Sequence, residues 1–339
     1  MLTTTVAGRT WNFSHSIGRA AAAGNGFLQP VAVASAPGGV LYVLSRGNEG
    51  TGGVVSPNKR IGKWTIDQEF LGDFGRHEFT WPVDLAVDRD GSVYCSDEYE
   101  NLILVYSADG DRLGQWGETG SGEGQFDGPS GLAFDADDNL YVVERDSNRV
   151  HKLTPDGETI LTWGEEGDGE GQFDMPWGVA IDSEGFVYVA DWRNDRIQKF
   201  TPEGEFCASF GESGTGEGQF HRPSSVAVDA RGTIYITDWG NERVQVLGPD
   251  GEFKQMLRGE ATLSKWAEQW LDVNRDELSA RNGSDLRIEH LPQHLRTPYQ
   301  IGAQTEHLFW GPVSAKLDGE HRLYVSEHSR ARIQIYATN

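Results

Sequence analysis

Six prolines, Pro30, Pro82, Pro129, Pro176, Pro223 and Pro312, carry acidic and arginine side chains at fixed distances behind them. Fifteen residues on stand Ser45, Asp97, Glu144, Asp191, Asp238 and Glu327, and twenty on stand Arg149, Arg196, Arg243 and Arg332 in four repeats. An acid and an arginine five apart across a tight connection can bond each other and the turn amides. Their recurrence marks them as scaffold. The position just after the acid behaves differently, reading Arg46, Glu98, Arg145, Trp192, Trp239 and His328. A position that varies between equivalent repeats is free of scaffold duty. Guanidinium groups, a carboxylate, indoles and an imidazole suit the holding of an aromatic or anionic molecule, and its protonation.

Further candidates flank the prolines. Trp177 and Asp84 open their repeats where the others carry small or aliphatic residues, while Trp81, Met175, Arg222, His221 and Trp310 stand just ahead of or near a proline. These readings give His221 and His328 as candidate acid–base groups. Arg46, Asp84, Glu98, Arg145, Trp177, Trp192, Trp239 and Trp310 are the candidate ligand-binding set. Three imidazoles from His77, His221, His307 and His328 would suffice for zinc. A lone histidine is more often hydrogen-bonded structure, and Pro292 keeps His290 and His294 off a shared helical face. No phosphate-cradling loop and no Gly-x-Ser-x-Gly elbow is present. The expectation is no metal and no cofactor.

The elements that position these residues follow from the same repeat. Pro82, Pro129, Pro176 and Pro223 are 47 apart, each of the six prolines follows a phenylalanine by three, and each precedes a tyrosine by twelve. Within one repeat, Val179-Ala-Ile, Val187-Tyr-Val-Ala, Arg196-Ile-Gln-Lys-Phe and Phe206-Cys-Ala-Ser-Phe read as four strands joined by Gly- and Asp-rich turns. Such a sheet has two apolar faces, which radial packing of six copies would bury. The last repeat stops after its third strand, and Trp11-Asn-Phe-Ser-His-Ser-Ile supplies the fourth from the other terminus. The spacing of nine from Gly18 to Phe27 matches Gly117 to Phe126, Gly164 to Phe173 and Gly211 to Phe220. The predicted fold is therefore all-β: one six-bladed β-propeller of four-stranded blades over residues 1–339, closed by its N-terminal strand. Alternating strand direction puts the connections after the second and fourth strands on one face, the top, which carries every candidate above.

The repeat resembles the NHL-repeat family of six-bladed β-propellers. The resemblance rests on Gly169-Glu-Gly-Gln-Phe173, on Tyr188-Val-Ala-Asp191 and on Asn194-Asp-Arg196-Ile197, with their counterparts in other blades. It implies fold more than function, because such propellers host enzymes, ligand binders and scaffolds. Among related enzymes the chain is similar to peptidyl-hydroxyglycine amidating lyases. That family's zinc-binding histidines would fall on Val31, Val83, Ser130, Trp177, Ser224 and Val313, so its metal set is missing. Ser96-Asp97-Glu98-Tyr99 resembles that family's Ser-Asp-x-Tyr step, which implies Tyr99 as a third candidate proton-transfer group.

Two segments interrupt the repeat. About ten extra residues from Gly50 precede Arg60, and 42 extra residues lie between Pro223 and Pro312. In the second, Leu263, Trp266, Trp270 and Val273 fall on one helical stripe with a stop at Asn282-Gly283, predicting a mostly helical insertion over 260–308 that caps the top face. Composition bounds the partners. A net charge of −23 disfavours nucleic acid, no apolar run reaches membrane-spanning length, and no secretory leader is visible at Met1–Trp11. Cys95 and Cys207 are too few for a disulfide framework and read as buried thiols in a cytoplasmic protein. The expected function is recognition of a small aromatic or anionic ligand on the top face, with lyase or hydrolase chemistry as an extension. The alternative is a non-enzymatic scaffold for a protein or peptide. The sequence carries no signal for oligomeric state.

Overall fold

The structure is a computed structural model that describes residues 3–6, 9–47, 56, 58–285 and 287–338. Six antiparallel sheets stand in a ring, and each begins at one of the six prolines. Blade four is representative, with strands Pro176–Ile181, Val187–Asp191, Arg196–Phe200 and Phe206–Phe210 running from the axis outward. Inner strands are largely buried and lie beside those of the neighbouring blades, while the outer strand of this blade alternates between half-buried and exposed residues up to Phe210. That alternation is the signature of a sheet with one face toward solvent.

Blade six closes the ring. Its inner strands are Pro312–Leu317, Arg322–Glu327 and Arg332–Thr338, and Arg9–Ile17 pairs antiparallel with the last of these. A further strand, Thr3–Val6, adds to Arg9–Ile17, so this blade has five strands rather than four. The glycine nine residues before four of the six phenylalanines has a steric cause. Gly164 sits at φ +101°, and a Cβ there would come within 2.6 Å of the Phe173 ring. Only glycine permits this left-handed turn beneath the ring.

Among its described residues the insertion forms three α-helices, α1 (Lys265–Val273), α2 (Arg275–Asn282) and α3 (Pro298–Gln304). Helix α1 begins at Ser264, whose hydroxyl accepts from the Ala267 amide and donates to the Gly18 carbonyl at the closing strand. Trp266 is buried against Phe27 and Trp64, so α1 lies at the seam between blades six and one. Helix α3 packs on the turn Trp239–Asn241 of the top face, and Arg330 ties down the carbonyls of Gly302, Ala303 and Thr305. Trp270 and Val273 of the predicted stripe are exposed instead, at 38% and 80%. Most of the extra loop from Gly50 lies outside the described residues. Cys95 is a buried free thiol, whereas Cys207, expected to be buried, points outward from the edge strand of blade four. Among the described residues no helix is long and apolar enough to cross a membrane.

Candidate functional site

The recurrent acids and arginines stitch the blades. Asp191 accepts the Asp174 amide at 2.9 Å and Arg196 Nε at 2.8 Å, while Arg196 donates to the carbonyls of Asp168, Gly169 and Gln172. Asp238 with Arg243 and Glu327 with Arg332 repeat the pattern, each at 2.6 Å. The Gly-rich loop entering a blade is thus held by that blade's own ion pair, which fixes the residues around the proline on the top face. Burial pushes the Asp191 and Asp238 carboxyls up, against the hydrogen bonds and arginine charge that favour ionisation.

On this frame the varying side chains converge at the axis. A pocket enclosing about 120 Å³ is lined by Arg46, Trp177, Trp192, Trp239 and His328, together with Val31, Ser224 and Val313. The three indoles form one wall: Trp177 and Trp192 have ring centroids 5.8 Å apart, and Trp192 and Trp239 are 6.3 Å apart. Arg222 lies over Trp192 at 4.6 Å. Across the pocket, the Arg46 guanidinium lies 5.1 Å from the Trp81 ring centre, and its Nε donates to the Pro82 carbonyl. His328 hydrogen-bonds the Ser329 hydroxyl through Nδ1. Glu98 and Arg145 stand beside this site as an ion pair at 3.1 Å, and Arg145 also holds Asp146. Burial raises the Glu98 carboxyl despite the charges of Arg145 and Arg46.

Below lies a smaller hollow that shares Arg46 and Trp177 and is floored by Asp84. Asp84 accepts the amides of Leu85 and Leu132 and pairs with Lys316 Nζ at 2.9 Å. This ion pair spans the axis from blade two to blade six and divides the upper pocket from the channel below, which Lys316 lines.

Not every candidate reaches the axis. Tyr99 is 64% exposed on the rim of blade two. The side chain of His221 is half exposed and faces Asp195 at 3.9 Å. Trp310 packs under Tyr299 of α3, with Arg330 above its ring. None of the three lines the pocket, nor does any described residue of 260–308. Lys316 escaped sequence reasoning although its signal was available. Four residues past the other prolines stand Ala34, Ala86, Ala133, Ala180 and Ala227. Among the described residues, no three His, Cys, Asp or Glu side chains gather to hold a metal.

Fold and repeats together define the class: this is a six-bladed β-propeller carrying NHL repeats, with the family model matching residues 126–153, 173–200 and 220–247. Comparison with curated proteins finds no match. Among solved structures, the chain is similar to a streptogramin B lyase, at 11% identity and TM-score 0.57, over 97% of this chain and 98% of that one. It is also similar to a catalytically inactive virginiamycin B lyase from Staphylococcus aureus with quinupristin, at 12% identity and TM-score 0.56, over 96% and 88%. A protein of unknown function from Bacteroides thetaiotaomicron aligns at 17% identity and TM-score 0.64, over 98% and 76%. At these identities the likeness is one of fold.

Proposed function

We propose that the protein binds a small organic molecule by placing a planar aromatic group against the Trp177–Trp192–Trp239 wall on its top face. The observation that carries this is the meeting of three indoles from two blades around one concave pocket. Stacked or edge-on rings gain about 0.5–1.5 kcal/mol per pair beyond the area they bury. The enclosed space is close to that of a cavity that accepts one benzene ring, so a ring-sized group enters and the remainder of the ligand extends toward solvent. That concavity favours a small molecule over a flat peptide interface.

His328 brings an imidazole to the pocket lining, a side chain suited to proton transfer, and is the acid–base group of this proposal. Three similar structures carry the name lyase, and proton transfer at His328 is the corresponding step proposed here. The test is a titration followed by tryptophan fluorescence and calorimetry. Naphthalene-2-methanol should bind and cyclohexylmethanol should not. Trp239→Ala should weaken the aromatic probe by about 1–3 kcal/mol, the range for lost aromatic contacts. Asp156→Ala, in a turn on the opposite face, should leave affinity unchanged. Equal binding of both alcohols, or an unaltered Trp239→Ala, rejects the assignment.

A further inference from the structure

The hollow beneath the tryptophan wall carries an unused hydrogen-bonding group. Ser314 lines it and is buried, yet its hydroxyl has no hydrogen-bond partner among the described residues. A buried hydroxyl left unpaired is destabilising, and a ligand atom in reach would recover that loss. The charges around it are unequal. Arg46 borders the hollow from above and Lys316 stands behind the floor, against Asp84, the one carboxylate among the described lining residues. Glu98, which also feels Arg46, is paired with Arg145 outside it. Asp84 is already engaged by two backbone amides and the lysine, so it offers little to an incoming cation. Arg46 is held by the Trp81 ring and the Pro82 carbonyl, and a positioned guanidinium recognises carboxylates well.

We propose that this hollow is an anion subsite receiving the carboxylate end of an aromatic acid whose ring lies against the tryptophans. Arg46 and the Ser314 hydroxyl contact the carboxylate, and Lys316 balances Asp84 below. The subsite rests on the aromatic reading of the pocket above it. Its enclosed volume of about 20 Å³ admits roughly one water-sized group. A carboxylate oxygen fits there, whereas a phosphate is too large. The ligand therefore enters acid first, with its ring behind.

Three probes of one shape test this by calorimetry at pH 7: 2-naphthoate, naphthalene-2-methanol and 2-naphthylmethylammonium. The acid should bind about tenfold tighter than the alcohol, and the ammonium weakest, as one charge-assisted contact implies. Ser314→Ala should weaken the acid by roughly three- to tenfold and leave the alcohol within about twofold. Equal affinity of acid and alcohol for the unaltered protein overturns the anion subsite while the aromatic reading stands. An acid affinity indifferent to Ser314→Ala also overturns it. If none of the three binds, the aromatic reading falls and the subsite with it.

Discussion

Nineteen residues past the blade proline, a side chain on left-handed backbone reaches the amide just ahead of the next proline. Asn101 accepts from Gly128 and Asn148 from Met175 at 2.7 Å, while Asp195 accepts from Arg222 and Glu242 from Gly311 at 2.6 Å. The asparagines make this staple without charge. Burial pushes the Glu242 carboxyl up to about 7, against the Gly311 amide that favours its ionised form, and the neighbouring charge of Glu327 adds to the rise. Its folded pKa thus exceeds its unfolded value near 4.5, and between them the folded state binds more protons. The stability this group confers is complete below pH 4.5 and is lost as pH rises through 7. Glu242→Gln should therefore stabilise the protein at pH 8 by about 1–3 kcal/mol and change little at pH 4, read by urea unfolding at both values. The reverse pattern would show that the charged form is favoured. Residue chemistry was legible where repeats could be compared: Arg46, Trp192, Trp239 and His328 stood out by differing from their counterparts, and they meet at the axis. Position in the repeat fixed the end of the blade but not the direction of the side chain. Tyr99 and His221 accordingly lie on the right face and away from the pocket.

At the scale of elements, the strands follow directly from proline, tyrosine and turn spacing, whereas the helices of the insertion do not. Periodicity marked an amphipathic helix, yet the neighbouring surface decides which of its residues are covered. The ring covers Trp266 and Leu271, and the helix breaks at Asn274 before Val273 gains a partner. The strand Thr3–Val6 was missed because a short β-branched run without a repeat partner looks like any terminus. Trp266 is the side chain that binds this element to the propeller. Its ring lies 4.7 Å from that of Trp64 and 5.9 Å from that of Phe27, and its Nε1 donates to the Gln68 carbonyl at 2.8 Å. Trp266→Ala should cost about 3–5 kcal/mol in denaturant unfolding, the range for emptying a buried aromatic site. Binding of an aromatic probe at the axis should persist, because the insertion does not line that pocket. A change below about 0.5 kcal/mol would show that α1 is held by its polar contacts alone.

For the whole molecule, closure joins the first strands to the last. Arg9–Ile17 covers the edge of Arg332–Thr338, and Thr3–Val6 covers Arg9–Ile17 in turn. The closing strand also packs sideways. Trp11 meets Tyr235 of blade five edge-on at 5.2 Å, and Ile17 joins Phe27 and Ile333 in the core between blades six and one. Its end supplies the Gly18 carbonyl that receives Ser264 of the insertion. Deleting residues 1–18 would therefore bare a sheet edge, uncover two inter-blade cores and release α1 together. An unpaired edge templates pairing with other chains. The truncated protein should melt at least roughly 10 °C lower, as a loss of several kcal/mol implies in a chain of this size, and it should aggregate on heating. A peptide spanning residues 3–18, added in excess, should restore much of the melting temperature by strand addition, whereas the same composition in scrambled order should not. Scanning calorimetry with light scattering reads both effects. An unchanged melting temperature and a monodisperse truncated chain would mean that blade six is held by its inner strands alone.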